Sequence, residues 1–164
     1  MKTQLDLENK EFDEHERRFI ADIKKYGWYG HHIFESEDWP KFSFTSGFWL
    51  RYGFPEIVVF SMEFETAQLI LGGVKDQLED GVRFQLGVPV QNVLVNDVVF
   101  LPVDKKFYED LGWTRWFYLG DDFECVQLVW PTQKTIFPWS NNAPREYLNA
   151  QPDLTGGDWL GRLQ

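Results

Sequence analysis

His31 and His32 form the chain's one histidine cluster. An imidazole can serve as a general base or as a metal ligand. On a strand, however, adjacent side chains point to opposite faces, so these two cannot both reach one ion. A metal site would need His15, or carboxylates such as Glu35, brought in by the fold. Nothing at ligand spacing supplies that, so the pair is expected to be structural or superficial, with no metal and no cofactor. Cys125 is the single cysteine. It lies between Glu124 and Val126, just after Asp121 and Asp122. A nucleophilic thiol needs an exposed, electropositive setting. These carboxylates would raise its pKa, and a free cysteine usually packs as a small hydrophobe. No intrachain disulfide can form from one cysteine. Ser43, Thr45 and Ser46 precede Gly47, but the first glycine of a Gly-x-Ser-x-Gly elbow is missing. Gly72-Gly73, followed by Lys75, lacks the spacing and the hydroxyl of a phosphate loop. No catalytic residue is assigned on this basis.

The carboxylates form two short clusters: Glu35, Glu37 and Asp38, and then Asp121, Asp122 and Glu124. Lys plus Arg number 16 against 26 Asp plus Glu, for a formal charge of −10. Residues 1–26 carry six basic and seven acidic residues, so nearly all of that charge lies in 27–164. A duplex nucleic acid needs a basic face, so no direct nucleic-acid partner is expected. A field of this sign steers association with a cationic protein surface. Aromatics reach 18%, including 8 Trp. Trp39, Trp49, Trp113, Trp116, Trp139 and Trp159 fall in or near expected turns. Most are read as plugs for the ends of the core. Trp39, beside the first acidic cluster, has the composition of a binding anchor.

The elements that must position these residues follow from periodicity. The chain's 164 residues make one domain. Phe12, Phe19, Ile23 and Tyr26 form an apolar helical stripe, with Asn9 or its predecessors as cap, acidic residues early, and Gly27 as stop. Trp28 to Glu35 and Phe42 to Phe48 read as strands of an antiparallel hairpin, with a turn over residues 35–40. Pro55 opens a buried strand, Glu56 to Phe60. Ser61 can cap a second helix carrying Phe64, Ala67, Leu71, Val74 and Leu78, ended by Gly81. Gly72 and Gly73 mark either close packing or a break. Val88 to Val95 and Val98 to Val103 suggest a hairpin turning at Asn96-Asp97. A short helix over 105–111 is stopped by Gly112. Cys125 to Trp130 is the last strand, closed by Pro131. The chain is thus expected to be α+β, with a mainly antiparallel sheet of five or six strands and two or three helices. Residues 1–26 form the N-terminal helix, 27–137 the core, and 138–164 an irregular tail pinned by Trp139, Leu154, Trp159 and Leu160.

Several short motifs, in order, carry a family likeness: Gly27-Trp28, Phe42-Ser43-Phe44-Thr45-Ser46-Gly47, Pro55-Glu56-Ile57-Val58-Val59-Phe60, Gln127-Leu128-Val129-Trp130-Pro131, Phe137-Pro138-Trp139 and Gln151-Pro152. Over most of residues 26–154 the chain resembles the bacterial family catalogued as domain of unknown function 4262. The Gln-Leu-Val-Trp-Pro and Phe-Pro-Trp pair is the most specific part. The family usually has an aliphatic residue where Ser46 stands and an Asp where Thr132 stands. The resemblance implies a small, cytosolic, bacterial protein and carries over no catalytic site. Compact acidic proteins of this kind look like the immunity proteins encoded beside secreted toxins, an analogy at the level of class.

The function expected from these features is a non-enzymatic one. The chain would be an immunity protein that neutralises a cognate toxin with a basic surface, with Glu35, Glu37, Asp38, Trp39, Asp121, Asp122 and Glu124 as contacts. An enzyme with a pocket near His31, His32 and Thr45 is the alternative. The charged N-terminus lacks the apolar run of a signal peptide. No apolar stretch approaches the ~20 residues that span a bilayer, so a cytoplasmic location without membrane contact is expected.

Overall fold

A computed structural model describes residues 1–7 and 11–159. Its first long helix, α1 (Glu14–Tyr26), is capped by Asp13, whose side chain accepts from the Glu16 N–H while the Glu16 side chain accepts from the Asp13 N–H. The cap expected at Asn9 lies outside the described residues. Gly27 ends the helix in the left-handed conformation, at φ 85°. Phe19, Ile20 and Ile23 are buried, whereas Tyr26 is exposed and Phe12 precedes the helix.

The sheet holds six strands among the described residues: β1 (Tyr29–Ile33), β2 (Phe42–Ser46), β3 (Glu56–Phe60), β4 (Pro89–Val90), β5 (Val98–Pro102) and β6 (Cys125–Val129). Their spatial order is β1-β2-β3-β6-β5-β4. All neighbours are antiparallel except β3 and β6, which run parallel with Glu56 opposite Cys125. Helices cover both faces. Val58 and Phe60 of β3 pack with Phe19, Phe117 and Tyr108, on the side of α1 and α4 (Gly112–Tyr118). Ile57 and Val59 pack with Ala67, Leu71, Val74 and Leu78 of α3 (Phe64–Glu79). A strand buried on both faces is apolar throughout, which is how residues 57–60 read. The architecture is α+β.

Several elements differ from the sequence reading. Residues 48–52 form a helical turn, α2 (Phe48–Tyr52), between Gly47 at φ 114° and Gly53 at φ 64°. Its aromatics resemble strand residues, but the two glycines set its ends. Ser61 does not cap α3. It sits at φ 61°, its hydroxyl donates to the Ala150 carbonyl at 2.6 Å, and Glu63 takes the cap position. α3 runs unbroken through Gly72 and Gly73; a Cβ on Gly72 would meet only the Trp28 ring, at an ordinary 3.7 Å. β4 is two residues long because Pro89 has no N–H to extend the ladder, and the turn spans 91–97 rather than Asn96-Asp97. Residues 105–110 are a 3-10 helix, and Gly112 begins α4 rather than ending a helix. The tail contains a further helix, α5 (Arg145–Ala150). Trp159 is buried against Val99, Leu101 and Val129, with Phe137 and Trp139 beside it; Leu160 lies outside the described residues. No helix among the described residues is long and apolar enough to cross a membrane.

Candidate functional site

The sheet separates the two acidic clusters. The β1–β2 loop lies where β3 finishes, since Phe42 pairs with Phe60 and the Ser61 N–H donates to the Lys41 carbonyl. Residues 121–124 lead into β6 at the end where β3 begins, and the Glu56 N–H donates to the Glu124 carbonyl at 2.9 Å. Glu35, Glu37 and Asp38 therefore stand at one end of the sheet, and Asp121, Asp122 and Glu124 at the other. They do not form one face.

Their surroundings differ as well. Asp121 accepts from Arg115 Nε at 2.5 Å, and its carbonyl accepts from Lys105 Nζ at 3.1 Å. That cluster is partly neutralised; Asp122 and Glu124 are exposed. At the other end, Glu35, Glu37 and Asp38 are exposed together with Glu63 and Glu65 at the start of α3. Lys41 pairs with Glu63, which holds the Glu63 carboxyl below its usual range.

Trp39 is no free anchor. Its ring stacks on Phe60 with centroids 5.7 Å apart and meets Phe107 edge-on at 6.3 Å. Trp49, Trp113, Trp116 and Trp139 are half-buried and Trp159 is buried, so the loop tryptophans act as plugs. Phe34 and Phe64 are exposed, at 78% and 41%, as is Tyr26 at the end of α1. The Phe34 and Phe64 rings meet His32 edge-on, at 5.4 and 5.6 Å. The alternation in residues 28–34 held the signal: Gly30, His32 and Phe34 share one side of β1, opposite Tyr29, His31 and Ile33.

A cavity of about 390 Å³ lies along β1 and includes His15, His31 and His32 in its wall. The two adjacent histidines do diverge. His32 Nδ1 is 2.8 Å from the Ser43 hydroxyl, and His31 Nε2 is 2.8 Å from the Ser46 hydroxyl. Thr114 donates to the Thr45 carbonyl at 3.0 Å, so it accepts from Ser46, which in turn accepts from His31. This chain of donors fixes neutral His31 with its proton on Nε2. Burial and nearby His15 push its pKa down to about 3. Thr45 does not line the cavity; its hydroxyl donates to Glu56 Oε1 at 2.7 Å. Cys125 is buried, which pushes its thiol pKa well up.

Glu56 is the one buried carboxyl among the described residues. Its carboxylate also accepts from the N–H groups of Gly47, Phe48 and Trp49 at 2.9–3.1 Å, and from the Tyr118 hydroxyl. It closes the α2 N-terminus, where orphan N–H groups collect. Gly47 is required here: a Cβ would stand 2.6 Å from the Gly27 carbonyl oxygen. Desolvation pushes the Glu56 pKa up to about 7 against the pull of these donors. No group of three or more His, Cys, Asp or Glu among the described residues is placed to hold a metal.

A family model described as domain of unknown function (DUF4262) matches residues 22–144, most of the chain. No curated protein and no solved structure matches it.

Proposed function

Because the chain belongs to the DUF4262 family of domains of unknown function, its role must be argued from its own surface, and we propose that it is a non-enzymatic binding protein for a basic protein partner. The partner class we propose is a bacterial toxin, neutralised in the cytoplasm by occlusion of its active surface. One observation carries the reading. Exposed Phe34 and Phe64 flank His32, and the exposed carboxylates Glu35, Glu37, Asp38, Glu63 and Glu65 lie at the same end of the sheet. Aromatic anchors within a charged rim are the anatomy of a protein interface. The net charge of −10 adds long-range attraction for a cationic surface.

Surface plasmon resonance against the product of the neighbouring open reading frame, which the reading requires to be a secreted toxin, tests it. Replacing Glu35, Glu37 and Asp38 together with lysine should lower the on-rate about tenfold or more at low salt. The wild-type on-rate should fall as the Debye length shrinks from ~30 Å at 0.01 M salt to ~8 Å at 0.15 M. Reversal at Asp121 and Asp122 should matter less, because Arg115 and Lys105 already offset that end. Phe34→Ala should act on the off-rate and cost about 2 kcal/mol. No binding to the toxin, or an on-rate indifferent to salt and to the triple reversal, would overturn the proposal.

A further inference from the structure

Six consecutive residues, Trp28 to Ile33, line the cavity beside β1. Side chains alternate across a strand, so an opening that touches all six runs along the strand's edge. β1 is the outermost strand on this side, and its outward backbone N–H and C=O groups have no strand to pair with. The walls come from both faces of the sheet: His15 and Asp22 of α1 with Trp113 of α4, and Phe64 and Gln68 of α3. Residues 29–33 contain no lysine or proline, two of the usual edge defences. Gln68 Oε1 is buried without a hydrogen bond. It lies where a Cβ on Gly30 would be, 2.2 Å away, so the glycine lets the amide lie against the strand. The Asp22 carboxylate makes no hydrogen bond or ion pair with a described residue, and no lysine or arginine among them lines the cavity.

We propose that the β1 edge takes an extended segment of a basic protein partner as a seventh strand, with a lysine or arginine side chain set at Asp22 beside the rings of Tyr29 and Trp113. Main-chain pairing supplies the docking, and the unpaired carboxylate with its aromatic walls selects the cation. The inference rests on the binding role proposed above and names its partner's mode of entry. Two observations favour this occupant. The edge leads directly into Phe34 and the acidic hairpin loop, so strand and hairpin form one continuous surface. Helices stand on both sides of the edge, which admits a lone strand but obstructs a second copy carrying its own helices.

The test uses two labelled heptapeptides of alternating valine and threonine, one with a central lysine and one with a central glutamate. Fluorescence anisotropy with the full chain should show the lysine peptide binding about tenfold tighter or better. N-methylation of one alternate set of peptide amides should abolish binding and of the other should spare it, and Asp22→Asn should remove the preference for lysine. Amide exchange over residues 29–33 should slow when the lysine peptide is bound. Binding that survives N-methylation of each alternate set in turn would overturn the strand pairing. Absence of peptide binding, or protection of the edge by self-association without peptide, would overturn the inference. The hairpin triple reversal separates the two readings. A chain that binds the toxin through the hairpin but ignores the peptide refutes only the strand addition. A chain that binds the peptide but not the toxin refutes only the toxin reading.

Discussion

Glu56→Gln should cost the fold about 3–5 kcal/mol at pH 4.5, read as a drop in the urea midpoint. The carboxylate accepts from Thr45, Gly47, Phe48, Trp49 and Tyr118. At pH 4.5 the native group is the neutral acid, with a single O–H and an oxygen able to accept at both positions; an amide puts two N–H groups and no acceptor at one of them, leaving more buried donors unsatisfied. The cost should then depend on pH with a definite sign. The folded-state pKa of Glu56, about 7, lies above its ordinary 4.5. Its contribution is full below about 4.5 and is lost as pH rises through 7. The gap between wild type and variant should therefore narrow by about 3 kcal/mol between pH 4.5 and 8. His31 works in the other direction. Its pKa is lowered from 6.5 to about 3, so its contribution is present above 6.5 and is lost as pH falls toward 3. It acts in both proteins and cancels from the difference. A gap that widens with pH would show that the five donors outweigh desolvation and hold the native carboxyl ionised.

Trp130→Ala should destabilise by about 3 kcal/mol, toward the lower end for a large aromatic because the ring is only half-buried. The side chain ties β6 to its parallel neighbour, since Trp130 Nε1 donates to the Phe60 carbonyl at 3.1 Å. The ring also meets Tyr147 of α5 edge-on at 5.3 Å. Its backbone bonds to Gln151 and Tyr147 survive the truncation. Trp130→Phe should keep most of the packing and lose about 1 kcal/mol for the missing indole donor. Chemical denaturation reads both values, and an unchanged midpoint for the alanine variant would remove Trp130 from the core.

The legible parts of the fold were those with a strong period or a clear stop. The stripe of Phe19 and Ile23, the apolar run 57–60, and the succession of Ala67, Leu71, Val74 and Leu78 each carry one burial pattern over several residues. α2 and α4 were hidden because phenylalanine, tryptophan and tyrosine favour strands intrinsically, whereas here glycines, and at α2 the Glu56 carboxyl, set the local backbone. Glu56 looked like a strand opener. Four of its five partners lie seven to eleven residues before it and Tyr118 lies 62 after it, spacings that match neither a helical nor a strand period. The acidic clusters were visible as composition, but their placement at opposite ends depends on the direction of β6. Trp39 drew attention by residue type. Phe34 is the exposed ring, and alternation places it after His32 on the side of β1 that meets Phe64.

The single parallel pairing in the sheet has a kinetic consequence. Strands β1 to β3 form one antiparallel block within residues 29–60, and β4 to β6 form another within 89–129. Each block can assemble from contacts close in sequence. The seam between β3 and β6 must instead close over all of residues 61–124, and the entropy of closing a loop grows with its length. Such a seam sets the pace of folding, because its contacts reward the chain only after the long loop is drawn in. Stopped-flow refolding should show substitutions on the seam, such as Val58→Ala, slowing folding more than equally costly ones in β1 or β4.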